Sequence, residues 1–326
     1  MKAILCDKPG PVARLKVAEI ERPVVPDDGV LVGVHASSAN PVDLFPTSRI
    51  GYIAGSMKPQ VIGTDFAGTV ESVGKSVTQF RVGDEVFGGA RGAFAELLCV
   101  AQKGAIVPKP ANVSYEPAGT VAVAATTAIQ ALRDHGRLQS GQHVLINGAS
   151  GGVGTFAVQI ARALGAEVTA VCSTRNVDMV HSIGADMVID YTRDDFTSSG
   201  QRYDLILDVA GSHSLSECRR VLKPSATFVG VGAAGVQHLR AGGLRALGHF
   251  VTTRIASLGG TQKVVALFIA KLNKDDLALL GELLAARRVS PVIDRRYDLG
   301  GVPAALHYLN EGHARAKVAI SISPRE

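Results

Sequence analysis

Cysteine is scarce in this chain of 326 residues: Cys6, Cys99, Cys172 and Cys218 are the only four, and none are paired at the spacing of a metal knuckle. That excludes a disulfide-stapled fold. It points to free thiols buried in apolar strands, as in a reducing compartment. Long apolar runs are also missing, since none reaches the ~18 residues a membrane helix needs. Residues 1–5 read as a strand and not as a secretory leader, so the expected location is cytoplasmic. Nor do basic residues cluster with interleaved aromatics. Lysine and arginine total 34 against 29 acids, a formal charge of +5, so a mildly basic surface and no nucleic-acid partner are expected. The 36 glycines show no Gly-X-Y period. They suit many tight turns instead. The sequence contains no internal repeat and no low-complexity linker.

What is present divides in three. The first third holds closely spaced strand signals at residues 30–36, 66–73, 84–87 and 93–100, separated by Gly and Pro, as in an irregular β-rich barrel. An Ala-rich helix follows at 121–132. Strand and helix signals then alternate, with strands at 143–147, 167–172, 187–190, 203–209 and 226–231 and helices at 152–164, 176–183 and 214–222. That alternation marks a doubly wound α/β parallel sheet. The tail has amphipathic helices at 275–287 and 302–312 and a closing strand at 317–323, read as a return to the first domain. The expected domains are therefore 1–119 with 262–326, and 120–261.

The strongest motif is Ala149-Ser150-Gly151-Gly152-Val153-Gly154, between the strand 143–147 and the helix after it. A dinucleotide pyrophosphate needs a tight turn at Gly151, close backbone approach, and a residue at Gly154 small enough for the helix to pack. Free N–H groups and the helix dipole then face the phosphates. An NAD enzyme places an acid at the end of the second strand, ~20 residues on, for the ribose 2′-hydroxyl. Here that place reads Ser173-Thr174-Arg175. Two hydroxyls and a guanidinium suit a 2′-phosphate, so NADP(H) is the expected cofactor. Arg175 also reads as a solvated helix-start residue. Tyr191, after the third strand, either closes over the ribose phosphate or anchors its loop. Val231 and Gly232, ending the fifth strand, complete the expected cofactor contacts.

The segments Gly63-Thr64-Asp65-Phe66-Ala67-Gly68, Val82-Gly83-Asp84-Glu85-Val86, the Gly-rich loop and Asp190-Tyr191 resemble the medium-chain dehydrogenase/reductase superfamily. More closely they resemble its zinc-free quinone oxidoreductase (zeta-crystallin-like) branch. The resemblance runs from the first strand to Lys317-Val318-Ala319-Ile320. It implies a GroES-like β-rich catalytic domain, a Rossmann domain, and an active site in the cleft between them. It also implies a homodimer formed through an edge strand at residues 251–257. Thr127 matches a Thr that contacts the cofactor, and otherwise reads as a helix hydroxyl.

Zinc-dependent relatives carry Cys and His where this chain has Asn40 and Thr64, neither a competent zinc ligand. No metal is expected. Without a Lewis acid, alkoxide chemistry is disfavoured and hydride transfer to a conjugated carbonyl is easier, carried by placement and hydrogen bonds. The candidate catalytic residues are Asn40, Asp43 and Tyr52. Asn40 would hydrogen-bond the substrate carbonyl or the nicotinamide ribose, with Asp43 orienting it. Resemblance to related reductases places a proton-donating Tyr near position 52. Asn40 reads equally as a turn residue before Pro41, and Tyr52 as a loop aromatic. The expected activity is NADPH-dependent reduction of a quinone or other conjugated carbonyl. An alkenal or enoyl-thioester reductase is the alternative enzyme. A cofactor-binding, crystallin-like structural or RNA-binding protein is the alternative outside enzymes.

Overall fold

The computed structural model describes residues 1–48, 51, 58–231, 261–312 and 314–322. The chain forms two compact units, one of residues 1–126 with 272–326 and one of residues 127–271.

The first unit opens with β1 (Lys2–Cys6), β2 (Lys16–Glu19), β3 (Gly29–Ala39), β4 (Gln60–Val61), β5 (Asp65–Val73), β6 (Glu85–Gly89), β7 (Leu97–Ala101) and β8 (Ile106–Pro108). β3 is buried along nearly its whole length, which its near-continuous run of apolar and small residues allows. It pairs antiparallel with β5 and β7. Gly68 is where β5 crosses closest to β3. A Cβ there would sit 2.1 Å from the Gly33 carbonyl oxygen, so only glycine fits. Phe66, Phe94, Val86, Ile106 and Ile4 fill the core against Val302 and Leu306 of the helix Val302–Asn310.

The second unit carries β9 (His143–Asn147), β10 (Glu167–Cys172), β11 (Met187–Asp190), β12 (Tyr203–Asp208), β13 (Leu222–Val231) and β14 (Lys263–Phe268). All their pairings are parallel, in the order β11-β10-β9-β12-β13-β14. Counting β9 as the first strand of the unit, that order is 3-2-1-4-5-6, the doubly wound arrangement of dinucleotide-binding sheets. Parallel neighbours cannot be joined by a tight hairpin, so a crossover connection stands between successive strands. Leu145, Val171, Ile206, Phe228 and the buried Tyr203 pack with Leu215 and Cys218 of the helix Leu215–Arg220.

The chain then re-enters the first unit through β15 (Ile293–Asp298) and β16 (Lys317–Ser321). β16 lies antiparallel to β3, with Val318 opposite Ala39, and parallel to β15. The first unit's main sheet therefore runs β15-β16-β3-β5-β6-β8. β14 continues the second unit's sheet beyond β13, although the sequence pattern assigns residues 262 onward to the first domain. The physical reason is its pairing: Val264 and Val265 are in register with Phe228 and Val229. The edge strand expected at 251–257 lies outside the described residues.

Candidate active site

Each unit presents a constellation of its own. In the second unit, β9 ends at Asn147 and the chain turns at Gly148, which has φ of +85°. The tight turn is therefore at Gly148. The sequence pattern places it at Gly151, but Gly151 is an extended helix N-cap with φ of −84°, where a Cβ would approach nothing nearer than 3.5 Å. Gly154 is the demanding position. A Cβ there would fall 2.1 Å from the Gly148 carbonyl oxygen and 2.7 Å from the Ala149 Cα. Glycine thus lets the helix Gly152–Ala163 sit directly on the loop. The amides of Gly148 and Ala149 both donate to the Val171 carbonyl, fixing the loop to β10. Thr155 N–H to Gly151 O, 3.0 Å, opens the helical ladder. The amides of Gly152, Val153 and Gly154 precede it and point outward, the arrangement that receives phosphate oxygens.

The end of β10 stands beside this loop. Asn176 donates through Nδ2 to both Ser150 Oγ and Ser173 Oγ, each at 3.1 Å, so Ser150 and Ser173 are brought together. Thr174 donates to Asp190 Oδ2 at 2.6 Å and meets Thr192 at 2.9 Å. Asp190, which the sequence reading did not single out, accepts further from the Thr192 amide and hydroxyl. The Thr174 hydrogen bond is the largest reason its pKa lies below the ordinary carboxylate value. An acid is therefore present near the expected ribose position, at the end of β11 rather than β10. Arg175 and Tyr191, just beyond the carboxyl ends of β10 and β11, are exposed. Asn147 and Asp208, joined at 2.9 Å, tie β9 to β12 at the point where strand order reverses. Val231 is buried at the end of β13, and Thr127 is buried in the helix Ala122–Ile129. Gly232 lies outside the described residues.

The first unit holds a buried polar cluster. β3 ends at Ala39, and Asn40 caps the 3₁₀ turn Pro41–Thr47, its backbone amide donating to Asp43 Oδ2 at 2.8 Å. Thr64 donates to Asp43 Oδ1 at 2.7 Å. Asn40 Nδ2 donates to Asp65 Oδ2 at 2.9 Å and to the Ser38 carbonyl at 3.1 Å. Its Oδ1 accepts from Lys317 Nζ at 2.6 Å, and Lys317 also reaches Asp65 Oδ2 at 3.3 Å. Ser38 Oγ and the Val123 amide complete the Asp65 shell at 2.6 and 2.7 Å. The Lys317 and Asp65 side chains are 3% and 0% exposed, so this is a fully desolvated ion pair. Burial raises the Asp43 pKa to about 7, with the Asp65 charge adding to the rise and Thr64, Asn40 and Lys317 opposing it.

Of the three expected catalytic residues, Asn40 and Asp43 are brought together and Tyr52 lies outside the described residues. Both Nδ2 protons of Asn40 are engaged within the cluster. Its amide as placed holds Asp65 and Lys317 and offers no free donor to a substrate carbonyl. Asp65 and Lys317 appear in the sequence reading only within family-like segments and not as site residues. Their signal was a charged residue inside each of two otherwise apolar strand segments, Asp65-Phe66-Ala67 and Lys317-Val318-Ala319. The donor set does not fit zinc. Asn40 and Thr64 are poor zinc ligands, and an ammonium 2.6 Å from Asn40 Oδ1 occupies the ground a dication would need. The nucleotide loop, by contrast, fits a dinucleotide, since its helix start and its Gly154 contact leave the backbone open to phosphate.

Family models place an alcohol dehydrogenase GroES-like domain at residues 26–111 and a zinc-binding dehydrogenase domain at residues 183–320. The chain is 32% identical over 325 residues to the NAD(P)H oxidoreductase RTN4IP1, mitochondrial, of Mus musculus, covering 90% of this chain and 81% of that protein. It is 30% identical to the 2-methylene-furan-3-one reductase of Solanum lycopersicum, covering 99% and 80%. Among solved structures, the quinone oxidoreductase from Coxiella burnetii superposes with a TM-score of 0.84 at 26% identity, covering 99% of both chains. With a doubly wound sheet, a Gly-rich loop opening the helix after its first strand, and a GroES-like domain, the chain belongs to the medium-chain dehydrogenase/reductase superfamily, in its quinone oxidoreductase-like branch, and is an oxidoreductase.

Proposed function

We propose that the protein reduces a quinone or another conjugated carbonyl with NADPH and without a metal. The observation that supports this reading is the buried Asn40–Asp65–Lys317 network, whose Asn40 stands where the resemblance places a zinc-ligating Cys in metal-dependent relatives. When bound, NADPH supplies a hydride from its nicotinamide ring. The amides of Gly152, Val153 and Gly154 hold the pyrophosphate, while Ser173, Thr174, Arg175 and Tyr191 receive the 2′-phosphate. Lys317 uses two of its three ammonium protons on Asn40 and Asp65. Its charge is largely offset by Asp65 at 3.3 Å, so it is the ammonium end of this dipole, and not a net positive charge, that favours the negative charge developing on an acceptor oxygen as hydride arrives. Asn40 and Asp43 keep that ammonium in place. Tyr52 is the candidate proton donor to the reduced oxygen. A homodimer and cytoplasmic residence belong to the same proposal. Among the described residues no helix is long and apolar enough to cross a membrane.

The test is NADPH oxidation against an ortho-quinone, an alkenal and an enoyl thioester, with and without a chelator. Saturable turnover with the quinone, unchanged by chelation and faster with NADPH than NADH, is expected. Turnover confined to the enoyl thioester would move the assignment to the alternative enzyme. Turnover with none of the three would leave a cofactor-binding protein.

A further inference from the structure

Arg202, Arg219 and Arg220 line a cavity of about 580 Å³ together with Leu222, Pro224 and Gln262. Its place in the fold separates it from the nucleotide loop. Arg202 precedes β12, Arg219 and Arg220 end the helix Leu215–Arg220, and Gln262 precedes β14. All four therefore lie at the amino ends of the strands, whereas the loop after β9 lies at the carboxyl ends of the same parallel sheet.

The charges in this cavity are unbalanced. No carboxylate lines it, and none of the three guanidinium groups forms an ion pair among the described residues. The nearest acids are occupied. Asp204 takes Lys223 at 2.7 Å, and Glu217 closes the capping box on Ser214, although Arg220 lies within its field. Residues 232–260 contain no Asp or Glu at all. The carbonyls at the helix end engage one arginine only in part, through a single nitrogen of Arg202. Arg202 Nη1 takes those of Arg220 and Leu222 at 2.9 and 3.3 Å, and Gln262 Nε2 takes those of Arg219, Leu222 and Lys223. Among the described residues Arg220 donates to the Thr197 hydroxyl, at 3.3 Å, which in turn donates to Asp195.

Arg219 is the decisive residue. Its Nε and Nη2 are both buried and have no hydrogen-bond partner among the described residues. These two atoms form one edge of the guanidinium, with parallel N–H bonds that match two oxygens of a single anion. Arg133 uses the same edge on Asp134, at 2.6 and 2.8 Å. A buried, charged pair of donors left unmade is costly, so the edge calls for an oxyanion. Two exposed guanidinium groups beside the unpaired edge of Arg219, with no carboxylate in the lining, favour a multiply charged anion such as phosphate over a single carboxylate. The volume exceeds that of an inorganic ion and suits a small organic phosphate.

We propose that this arginine-lined cavity is a second anion site, distinct from the cofactor site, that binds the phosphate group of a small phosphorylated ligand through the Nε–Nη2 edge of Arg219, with Arg202 and Arg220 supplying further charge. The proposal does not depend on the identity of the hydride acceptor. It is tested by calorimetric titration of inorganic pyrophosphate into the protein saturated with NADPH, so that the glycine loop is already filled. Succinate at matched ionic strength serves as the carboxylate comparison. The wild type should show a saturable event that succinate does not reproduce. R219Q and, separately, the surface variant R202Q should weaken it by ~10-fold or more, with unchanged NADPH affinity as the control for folding. No saturable event in the wild type would overturn the proposal. So would equal binding in both variants, or equal binding of succinate. If the cavity is instead filled by a second copy of the chain, pyrophosphate will bind only as the oligomer dissociates in sedimentation, and that outcome also overturns it.

Discussion

Lys317 and Asp65 decide the character of the first unit's polar cluster. Two charges taken out of water are stable only while each compensates the other and the remaining hydrogen-bonding groups are met. Here Ser38, Asn40 and the Val123 amide meet those of Asp65. Lys317→Met should therefore cost ~3–5 kcal/mol in denaturant unfolding, because it strands a buried carboxylate. Lys317→Met with Asp65→Asn should recover part of that loss, and no recovery would show that the pair is not the source of the cost. Asp43 gives a different signature. Its folded pKa of about 7 lies above the ordinary carboxylate value, so the folded state holds the proton more tightly than the unfolded state does. Stability should consequently fall as pH rises from about 4 to about 7 and level off above that. Both forms keep their partners, since a protonated Asp43 can donate to Thr64 Oγ1 and an ionised one accepts from it. Denaturant midpoints across this range should slope downward in the wild type and lose that slope in Asp43→Asn. An identical slope in the variant would assign the titration to another group.

At the scale of elements, the strand–loop–helix unit after β9 shows how sequence pattern and backbone geometry divide the information. The glycine spacing located the turn between β9 and the helix Gly152–Ala163, and the strands at His143–Asn147, Glu167–Cys172 and Met187–Asp190 have the bounds their apolar runs imply. Which glycine bears the strain was not legible, because φ values and close approaches depend on neighbours the pattern does not contain. Gly154→Ala should weaken cofactor binding by ~10-fold or more, since its Cβ must displace the Gly148 carbonyl, whereas Gly151→Ala has room and should stay within ~2-fold. Fluorescence titration with NADPH checks both. Equal effects at the two positions would contradict the geometry. The β10 end is similar. The missing acid at Ser173 was readable, but Asp190 arrives from β11 through parallel pairing and its hydrogen bond from Thr174. Arg175→Ala should raise the NADPH dissociation constant ~10-fold and barely change that for NADH. Asp190→Asn keeps the acceptor for Thr174 and removes a like charge beside the 2′-phosphate, so it should tighten NADPH by a few-fold. Weaker NADPH binding in Asp190→Asn would mean that Asp190 acts chiefly by holding the β10 turn.

At the scale of the whole molecule, the order of elements was largely legible and the long-range closures were not. Lys317 lies 277 positions from Asn40, and only the antiparallel pairing of β16 with β3 makes them neighbours. No local period encodes such a contact. The same holds for β14, whose apolar run could serve either unit until its pairing with β13 is known. This division of labour has a kinetic consequence. On the proposed reading cofactor phosphates are held in the second unit, while the buried ammonium and its supports belong to the first. Variants in one unit should then separate from variants in the other. Gly154→Ala should act through cofactor affinity and be rescued by raising NADPH. Asn40→Ala frees Lys317 from its 2.6 Å contact and should lower single-turnover hydride transfer to quinone and enone alike, with the NADPH dissociation constant within ~2-fold of wild type. Tyr52→Phe should distinguish the two acceptors. A reduced quinone is a stabilised dianion that water can protonate, so its rate should fall by under ~10-fold, whereas the less stable enolate of an enone gains more from a nearby donor and can lose up to the 10²–10⁴ typical of a true general acid. If Tyr52→Phe abolished quinone reduction with cofactor binding intact, proton donation would control the reaction and the placement account would fail. If it left both rates unchanged, Tyr52 would be a packing residue, and the charge on the acceptor oxygen would be met by the Lys317 cluster and solvent alone.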